Sequence, residues 1–552
     1  MENKNKKIVV IGGVAGGMSF ATRYRRLNQD AQIIVFEKGP YVSFANCGLP
    51  YYMSGEIRTR SALLVVKEQL LKDRFRLDIR SNTEVLRIDP LNKQVEYRFE
   101  SKTHIESYDE LVLSTGAKPI ILKVPGLELP MFVLRNIPDL DQIMSFIKTS
   151  NPKHATIIGA GFIGLEVAEN LKKRGLKVSI VEKSKEVLPV VDEEMGFFIR
   201  NELLRNEIDV YVDNEITSFE GRVARLRSNE SFETDFVISA VGVSPDSILA
   251  QMAKITTGVR GGIVVDHQYK TSADHIYAVG DAIVIKHQIS HMDTLIPLAS
   301  PANRQGRQLA DILSGQLVSN KGSIGTSIVK VFDLSLASTG MNEKQLKNST
   351  YKTIHLQAND HASYYPHATP IYLKVLFNPL TEEILGAQAV GQKGIDKRID
   401  ILATAIKGHI KVSDLQELEL SYAPPYSSAK DIVNLAGYVA QNVIVGLSKT
   451  IQWYEVKEFI EQHSDTTLFL DVRSSFESNA FGSIRNSINL DIDQLSHTYH
   501  QLPKDKLLVV YCDTGAKSYN AELFLRSKGY NVVLLDGAFT ILSNMLKEHI
   551  HV

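Results

Sequence analysis

The sequence predicts an α/β protein of several domains, in which one dinucleotide-binding fold is inserted into another and two further units of strands and helices follow. Two apolar strands run into glycine-rich turns, at Gly12 and at Gly159, and each is followed by a helix and a second strand that ends in an acid. Near the carboxyl end, alternating strand and helix patterns surround an apolar strand that ends at Cys512. The chain has 552 residues, which is too long for one core, since a single core rarely exceeds about 250 residues.

Composition and charge restrict the classes of function. Apolar residues make up 44% and charged residues 23% of the chain, as in an ordinary globular protein. The net charge is −1, so no overall field attracts the chain to nucleic acid or to a membrane, and local basic groups must hold any anionic ligand. The amino terminus is polar, no apolar run reaches about 18 residues, and two cysteines make no disulfide framework. These features predict a cytoplasmic enzyme with neither nucleic acid nor membrane as a partner.

The first dinucleotide-binding pattern begins at the strand Lys7–Ile11. This strand leads into GGVAGG at residues 12–17 and a helix, and the next apolar strand ends at Glu37. In the Rossmann arrangement, glycines allow a tight turn and the approach of a phosphate, while the acid binds the ribose hydroxyls. Because Val14 stands where the middle glycine is usual, this pattern alone is also compatible with an ordinary βαβ turn.

A second copy of the pattern fits at every position. The strand at residues 155–158 leads into Gly159, Gly161 and Gly164, and the next strand ends at Glu182. The Glu182 carboxylate would accept a hydrogen bond from a ribose 2′-hydroxyl and repel a 2′-phosphate. The sequence therefore predicts NADH as the nucleotide in preference to NADPH.

Further strands end in small-residue turns at residues 114–117 and 239–242, and the segment AVGDA follows at 278–282. The ordered set, over residues 1 to about 445, resembles the two-dinucleotide flavoprotein disulfide reductase family. The resemblance implies that the first fold binds FAD and that the inserted fold binds NADH. It assigns Gly12, Gly17, Glu37 and Asp281 to FAD, Gly159, Gly161, Gly164 and Glu182 to NADH, and further cofactor contacts to Thr115, Gly116 and Gly280.

Cys47 and Cys512 are the only cysteines, and both stand where a loop and a helix are predicted to begin, which favours sulfur chemistry over packing. Ordinary members of the family have a second cysteine that pairs with the first, and Tyr52 stands at that place here. A lone thiolate of this kind rests as a sulfenic acid or as a mixed disulfide with a small thiol. The first alternative is an NADH oxidase or peroxidase, and the second is a coenzyme A-disulfide reductase.

The residues around Cys47 more closely resemble the coenzyme A-disulfide reductases. Single-cysteine oxidases and peroxidases place a histidine in the first glycine loop, where this chain has Ala15. The resemblance implies that coenzyme A caps the resting Cys47 and contacts Ser19, Arg23, Arg26, Ser43, Asn46, Asn303 and Lys430. The spacing of Arg23 and Arg26 also puts both on one helix face, where they would offer positive charge to the phosphates, although a plain solvated face is the alternative for either arginine.

From about residue 325 the pattern changes to an α+β unit that resembles the family's dimerisation domain, so a homodimer is expected. Strands are predicted at residues 327–332, 351–355, 371–377 and 384–390, and helices from about 397 and 429. The resemblance assigns Tyr364 and Tyr422 to protonation of the leaving thiolate across the dimer interface, with Tyr365 and Tyr426 as the neighbours that could hold these roles instead. A phenol with a pKa near 10 can donate at neutral pH, although packing is the commoner role of tyrosines in such turns.

The last 100 or so residues resemble a rhodanese domain. The strand Leu507–Tyr511 ends at Cys512, where loop amides would stabilise a persulfide. Lys517 stands where many rhodaneses have arginine, and because lysine lacks the bidentate fork, weak thiosulfate turnover is expected. An inactive, structural module is the alternative.

These inferences define the predicted fold class as α/β with two nested Rossmann-like dinucleotide-binding domains, an α+β dimerisation domain and an α/β rhodanese-like domain. The predicted boundaries are 1–120 and 247–324 for FAD, 121–246 for NADH, 325–445 for dimerisation, 446–452 for a linker and 453–552 for the last domain. The expected activity is NADH-driven, FAD-dependent reduction of coenzyme A disulfide, or of coenzyme A and low-molecular-weight persulfides and polysulfides. In this activity Cys47 cycles as a mixed disulfide with coenzyme A and Cys512 carries sulfane sulfur, and no metal takes part.

Overall fold

The computed structural model describes residues 6–551, and its contacts divide the chain into two compact units. The first unit comprises Met1–Leu188 and Leu203–Gly325, and the second comprises Pro189–Glu202 and Thr326–Val552. Residues 189–202 were predicted to belong to the NADH domain, and in the structure they belong to the second unit instead. Among residues 6–551, no helix combines the length and the apolar character that crossing a membrane requires.

Two five-stranded parallel sheets form the framework of the first unit. In sheet order, the strands of the first sheet are Ile276–Ala278, Glu110–Leu113, Lys7–Ile11, Gln32–Phe36 and Asp78–Arg80. Those of the second sheet are Asp209–Tyr211, Lys177–Val181, His154–Ile158, Phe236–Ser239 and Met131–Phe132. The central strands are almost wholly apolar and buried, as expected for parallel sheets that are covered on both faces.

Helices and small antiparallel sheets complete the first unit. Its helices are Ala15–Leu27, Leu49–Ser54, Glu68–Phe75, Ile137–Ser150, Phe162–Lys173, Ile248–Met252 and Ala299–Leu313. Its antiparallel strands are Glu84–Asp89, Gln94–Phe99, Lys102–Ser107, Ala117–Pro119, Ile216–Glu220, Val223–Leu226, Ser231–Glu233, Val243–Pro245, Ile285–Lys286 and Asp293–Thr294. The helix Ala15–Leu27 packs closely on Ala299–Leu313, where a Cβ on Gly306 would lie 2.2 Å from the Gly16 carbonyl oxygen.

A five-stranded antiparallel sheet forms one part of the second unit, which we name the antiparallel domain. In sheet order its strands are Ser327–Val331, Leu334–Gly340, Ile384–Gly391, Pro370–Phe377 and Lys352–Asn359. The sequence patterns missed Leu334–Gly340, because its serines, threonine and glycine resemble a loop and only its pairing with two neighbours makes it a strand. The helices of this part are Glu193–Arg205, which begins in the second unit, Glu343–Leu346, Ile395–Gly408 and Ile432–Ile444.

A parallel sheet forms the rest of the second unit, which we name the carboxyl-terminal domain. In sheet order its strands are Thr450–Ile451, Asn531–Leu535, Leu507–Tyr511, Thr467–Asp471 and Ile488–Asn489. Its helices are Val456–Gln462, Ser475–Phe481, Ile492–Thr498, Ala516–Ser527 and Ala538–Met545, and Ser483–Ile484 pairs with Ile550–His551 outside the sheet. The predicted linker 446–452 needs correction, because Thr450–Ile451 within it pairs with Leu534 and Leu535 as the edge strand.

Candidate active sites

The two glycine turns of the first unit have the same geometry. Gly12 and Gly159 have φ angles of +104° and +101°, in the region that favours glycine. A Cβ on Gly17 or on Gly164 would lie 2.0 Å from the carbonyl oxygen of Gly12 or of Gly159, respectively. Each helix therefore approaches its strand at a distance that only glycine permits.

The acids that end the second strands bind these turns in the same way. Glu37 accepts hydrogen bonds from the N–H groups of Gly13 (2.9 Å) and Gly39 (2.8 Å). Glu182 accepts from the N–H groups of Ala160 (2.7 Å) and Ser184 (2.8 Å). Burial raises the pKa of Glu37, although the two amides oppose this shift. A carboxylate has about four acceptor positions, so both acids keep capacity for ribose hydroxyls.

Both helices that follow the turns begin without a side-chain cap. The residues before their first turns, Val14 and Gly161, make no capping hydrogen bond through a side chain. The first N–H groups of a helix have no partner within the helix and attract anions. A Cβ on Gly161 would have open space around it, with nothing within 4 Å. Glycine turns, uncapped helix starts and acids with spare acceptors fit two dinucleotides, as FAD and NADH require.

The other predicted cofactor residues lie at the edge of the first sheet. The Thr115 hydroxyl donates to the Asp246 carbonyl oxygen over 2.5 Å, and the Gly280 N–H donates to Gln305 Oε1 over 2.7 Å. Gly116 and Gly280 have positive φ angles of +69° and +86°. Asp281 follows directly and accepts from Arg135 Nη2 over 3.0 Å. These contacts fix the conformation of the chain at this edge of the sheet. Cofactor binding by these residues remains a prediction.

Cys47 lies on a single turn of 3₁₀ helix, Asn46–Gly48, that continues into the helix Leu49–Ser54. Pro50 lies in the first turn of that helix, where its missing N–H costs no helical hydrogen bond. The thiol is exposed and is not part of a disulfide. Partial desolvation raises its pKa, Glu166 and Asp281 act in the same direction, and Arg135 lowers it.

Sequence patterns missed Arg135 as a member of this site. It forms an ion pair with Asp281, and its carbonyl oxygen accepts from Asn46 Nδ2 over 2.9 Å, which ties it to the turn that carries Cys47. Arg135 lies in the loop before the helix Ile137–Ser150, outside any recognisable motif. Only the folded chain brings this guanidinium within electrostatic range of the thiol.

Tyr51 and Glu166 form the second contact that sequence patterns did not assign. The Tyr51 hydroxyl donates to Glu166 Oε1 over 3.2 Å. Burial raises the pKa of Glu166 to about 7, although the bond from Tyr51 opposes this shift, and the pKa of Tyr51 is raised as well. A carboxyl group that titrates near neutral pH therefore lies within electrostatic range of Cys47.

The predicted coenzyme A residues of the first unit form two groups. Ser19 donates to Asn303 Oδ1 over 2.5 Å, and Arg23 pairs with Asp311 over 2.7 Å. Arg26 is exposed, and its guanidinium lies 5.0 Å from the centre of the Phe75 ring.

Ser43 and Asn46 belong to the Cys47 loop. Ser43 has a φ angle of +51°, and its N–H donates to the Gly13 carbonyl oxygen over 2.9 Å. The structure thus brings Ser43 and Asn46 to the turn beside Cys47. Arg23, in contrast, already forms an ion pair with Asp311. Coenzyme A binding by all of these residues remains a prediction.

The predicted tyrosines lie in the second unit and meet each other. The hydroxyls of Tyr364 and Tyr422 are 2.8 Å apart, and both side chains are exposed. This hydrogen bond raises the pKa of Tyr364. Tyr365 instead packs edge-on against His361, and Tyr426 is exposed without joining the pair. Lys430, also exposed, precedes the buried Asp431 that binds Arg398 over 2.8 Å.

Cys512 stands at the carboxyl end of a central strand in the carboxyl-terminal domain. Its side chain is fully buried, and its Sγ accepts from the N–H groups of Gly515 (3.1 Å) and Ser518 (3.4 Å). Gly515, with a φ angle of +98°, precedes the helix Ala516–Ser527 and turns its N–H toward the sulfur. Amides in this arrangement stabilise negative charge on sulfur.

Charged residues surround the Cys512 loop. Arg473 is fully buried, binds Asp471 over 2.7 Å and contacts Asp513 over 3.1 Å. Lys517 Nζ pairs with Glu477 over 2.8 Å, and this bond, followed by the Ser474 amide, lowers the pKa of Glu477 to about 2. The lysine that stands where many rhodaneses have arginine is therefore already paired with a carboxylate.

Comparison with known proteins agrees with this architecture. Residues 6–306 match the family described as pyridine nucleotide-disulphide oxidoreductase, residues 326–432 match its dimerisation domain, and residues 453–543 match the rhodanese-like domain. The coenzyme A disulfide reductase of Staphylococcus haemolyticus is 36% identical over 447 residues, which are 79% of this chain and 100% of that protein.

Two solved structures resemble nearly the whole chain. Reduced CoADR-RHD from Bacillus anthracis has a TM-score of 0.97 and 45% identity, and the match covers 100% of both chains. The NAD-dependent persulfide reductase from A. fulgidus has a TM-score of 0.91 and 34% identity over 97% of this chain and 99% of that one. FAD and NAD(H) are the cofactors that the matched family implies. The chain belongs to the pyridine nucleotide-disulphide oxidoreductase family, as an NAD-dependent reductase related to coenzyme A disulfide reductases that carries a rhodanese-like domain at its carboxyl end.

Proposed function

We propose that this protein uses NADH to reduce coenzyme A disulfide and coenzyme A persulfide through Cys47, and that Cys512 supplies the sulfane sulfur. The observation that carries this proposal is the presence of two free cysteines in different settings. Cys47 is exposed beside Arg135, whereas Cys512 is buried under two amide donors. A reductase of simple disulfides would have no use for the second sulfur.

Cys47 carries the exchange with coenzyme A. Its thiolate attacks one sulfur of coenzyme A disulfide, forms a Cys47–coenzyme A mixed disulfide and releases a coenzyme A thiolate. With coenzyme A persulfide it attacks the sulfur bonded to carbon, forms the same mixed disulfide and releases hydrosulfide. Bound FAD and NADH would supply the two electrons that return Cys47 to the thiolate and release coenzyme A.

The surroundings of Cys47 control how readily these steps begin. Partial desolvation and Glu166 raise the pKa of Cys47, Asp281 acts in the same direction, and Arg135 opposes this shift without reversing it. A thiolate is the nucleophile, so the balance between this cation and these acids determines its availability. The preference for NADH rests on Glu182, whose buried carboxylate would repel a 2′-phosphate.

The two tyrosines would serve the leaving group in a homodimer. Tyr364 and Tyr422 share a 2.8 Å hydrogen bond, so one hydroxyl keeps a proton to donate while the other orients it. The matched dimerisation domain supports a second subunit as the source of these tyrosines.

Cys512 carries out the sulfur-transfer half of the proposed reaction. Its thiolate takes the terminal sulfur of a polysulfide or low-molecular-weight persulfide and releases the shortened donor. A coenzyme A thiolate then attacks the outer sulfur of the Cys512 persulfide, which forms coenzyme A persulfide and restores the Cys512 thiolate. The Gly515 and Ser518 amides would stabilise negative charge in both steps.

Mass spectrometry of the native protein, with peptide mapping before and after dithiothreitol, tests this proposal. We expect an adduct of coenzyme A mass on the Cys47 peptide that is lost on reduction. An oxygen adduct on Cys47 without coenzyme A would contradict the mixed-disulfide cycle and support an NADH oxidase or peroxidase instead.

A further inference from the structure

A buried ion-pair cluster joins the two domains of the second unit. His355 of the antiparallel domain contacts Asp536 through Nδ1 (2.7 Å) and through its backbone N–H (3.0 Å). Its Nε2 lies 3.1 Å from Glu194 Oε1. The side chains of His355, Glu194 and Asp536 are only 3%, 2% and 4% exposed, so these contacts are almost wholly removed from solvent.

Two ionised carboxylates on opposite ring nitrogens of His355 would both be satisfied only by a doubly protonated imidazole. An ionised carboxylate only accepts hydrogen bonds, and a neutral imidazole donates only one. Although burial lowers the pKa of His355, Asp536 and Glu194 outweigh burial and raise it to about 9, with Lys374 opposing.

Other charged and titratable groups face this cluster. Lys374, which is also buried, contacts Glu194, Asp192 (2.9 Å) and Glu343 (3.4 Å). The titratable groups around these pairs are Tyr351 and Tyr454 near Glu343, and Asp513 in the same crevice as His355.

Asp536 leads directly to the Cys512 loop. The next two residues, Gly537 and Ala538, both have positive φ angles, and the helix Ala538–Met545 begins there. The Phe539 N–H donates to the Cys512 carbonyl oxygen over 2.8 Å, and the Thr540 hydroxyl donates to the Asp513 carbonyl oxygen over 2.8 Å. The start of this helix therefore holds the backbone of the loop that presents Cys512.

The same loop faces the antiparallel domain across a narrow crevice. Asp513 and Thr514 line one side of this crevice, and His355, Gln357 and Tyr372 line the other. Gln452 strengthens the junction, since its amide donates to Asp536 Oδ2 over 3.0 Å and to the Thr353 carbonyl oxygen over 3.3 Å. Fixing Asp536 to His355 thus fixes both the position of the carboxyl-terminal domain and the path of the loop.

We propose that His355 and Asp536 are positioning residues for Cys512, which hold its loop in the buried, amide-lined conformation by docking the carboxyl-terminal domain on the antiparallel domain. The inference rests on the proposed sulfur-carrier role of Cys512 for its effect on turnover, but not for its effect on structure. Folding raises the pKa of His355 from its ordinary value of 6.5 to about 9. The contribution of this ion pair to docking is therefore complete below pH 6.5 and is lost as the pH rises through about 9.

Alkylation of Cys512 with iodoacetamide, followed by peptide mapping of the full-length holoenzyme, tests the docking directly. In His355→Gln and in Asp536→Asn, we expect Cys512 alkylation at pH 7.5 to accelerate by at least about tenfold, because removing one partner of a buried ion pair leaves the other charge uncompensated. The internal control is the Cys47 peptide of the same sample, after the holoenzyme has been reduced with dithiothreitol and the reductant removed so that Cys47 is a free thiol. The matched control is His497→Gln, which replaces an exposed histidine and should leave the alkylation rates of Cys512 and Cys47 unchanged.

The single tryptophan gives a second readout that does not depend on thiol ionisation. Trp453 follows Gln452 and packs against the buried cluster that contains Phe539. We expect its emission to change with a midpoint near pH 9 in the wild-type protein and to show no such transition in His355→Gln. The proposal would be overturned if Cys512 in His355→Gln were alkylated at the wild-type rate and the emission transition near pH 9 were unaltered in that variant.

Turnover separates this inference from the proposed function. We expect polysulfide-dependent NADH oxidation to fall at least fivefold (about 1 kcal/mol) in His355→Gln, while coenzyme A disulfide reduction keeps its wild-type rate. If Cys512→Ser retains full polysulfide-dependent oxidation, the sulfur-carrier role fails, and the alkylation and emission results still decide the positioning role.

Discussion

Tyr51 and Glu166 control the charge beside Cys47 at the scale of single residues. Glu166 accepts a 3.2 Å hydrogen bond from Tyr51, and burial raises its pKa to about 7. When Glu166 ionises, its negative charge raises the Cys47 pKa, whereas Arg135 acts in the opposite direction. The thiolate fraction of Cys47 therefore depends on a second titration close to the working pH of most enzymes.

Replacing Glu166 with Gln should increase the reactivity of Cys47 above pH 7. The variant keeps an acceptor for Tyr51 but removes a charge worth about 1 kcal/mol at close range, or roughly fivefold in thiolate fraction. The pH profile of Cys47 alkylation measures this effect, with exposed Glu128→Gln as the control. Superimposable profiles for Glu166→Gln and the wild-type protein would show that the carboxyl does not influence the thiol.

At the scale of secondary-structure elements, close approach between helix and strand shapes both glycine turns. A Cβ on Gly164 would lie 2.0 Å from the Gly159 carbonyl oxygen and 3.4 Å from the Ala240 Cβ. A Cβ on Gly161 would have nothing within 4 Å. The two glycines of one motif therefore serve different purposes, since one permits packing and the other leaves the helix start open.

The variant Gly164→Ala should lower stability, whereas Gly161→Ala should not. The first forces the helix Phe162–Lys173 away from the strand at a cost of about 1–3 kcal/mol, which is typical of overpacking. Thermal unfolding of both variants measures the difference, and NADH titration of Gly161→Ala shows whether the open space is a nucleotide contact. A greater loss of stability in Gly161→Ala than in Gly164→Ala would contradict this assignment.

A second element-scale effect arises at the start of the helix Ser475–Phe481. Glu477 accepts from the Ser474 N–H and hydroxyl as part of a capping box, and it also binds Lys517. Its carboxylate neutralises the lysine of the Cys512 loop, and Asp513 adds another negative charge beside the sulfur. These charges oppose a dianion such as thiosulfate more than a weakly charged sulfur donor.

Glu477→Gln should therefore improve thiosulfate use relative to polysulfide. Glutamine keeps the capping box but releases Lys517, and we expect kcat/KM for thiosulfate to rise roughly threefold. Sulfur transfer from thiosulfate to cyanide provides the assay, and exposed Glu458→Gln serves as the control. If the ratio of thiosulfate to polysulfide activity does not change, the ion pair does not determine donor choice.

At the scale of the whole molecule, the two sulfur sites are divided between the two compact units. Cys47, Arg135, Glu166 and the glycine turns belong to the first unit, whereas Cys512 and the Tyr364–Tyr422 pair belong to the second. The surroundings of the two sulfurs differ. Desolvation and Glu166 raise the pKa of Cys47 against the effect of Arg135, whereas backbone amides donate hydrogen bonds to Cys512. The two half-reactions that we propose for these sulfurs should therefore be separable by mutation.

Cys512→Ser should keep coenzyme A disulfide reduction within about twofold of wild type and lower polysulfide-dependent NADH oxidation by at least about tenfold. Cys47→Ser should abolish both activities, because each half depends on the mixed disulfide. NADH oxidation with each substrate measures these effects. Equal loss of both activities in Cys512→Ser would show that the domain is needed for the fold of the reductase and would contradict the division of labour.

Local patterns predicted the elements that carry chemistry, and the antiparallel domain shows why other elements escaped. The strand Leu507–Tyr511 and its terminal Cys512 were recognisable, because an apolar run that ends at a loop is a local property. Leu334–Gly340 was missed, because its side chains are small and its strand geometry comes from two partners. The segment 189–202 was assigned to the NADH domain, because nothing local indicates that Asp192 and Glu194 will pair with Lys374.

The sequence by itself determined the two glycine turns with their acids, the lone Cys47 and the strand that ends at Cys512, and hence the family to which the chain belongs. These features are runs of neighbouring residues whose spacing follows from the geometry of turns, strands and helix starts. Tertiary structure alone decided that Arg135 and Glu166 oppose each other at Cys47, that Glu477 neutralises Lys517, and that His355 binds Asp536. These are contacts between charges distant in sequence, and their effects depend on burial, which no local pattern specifies.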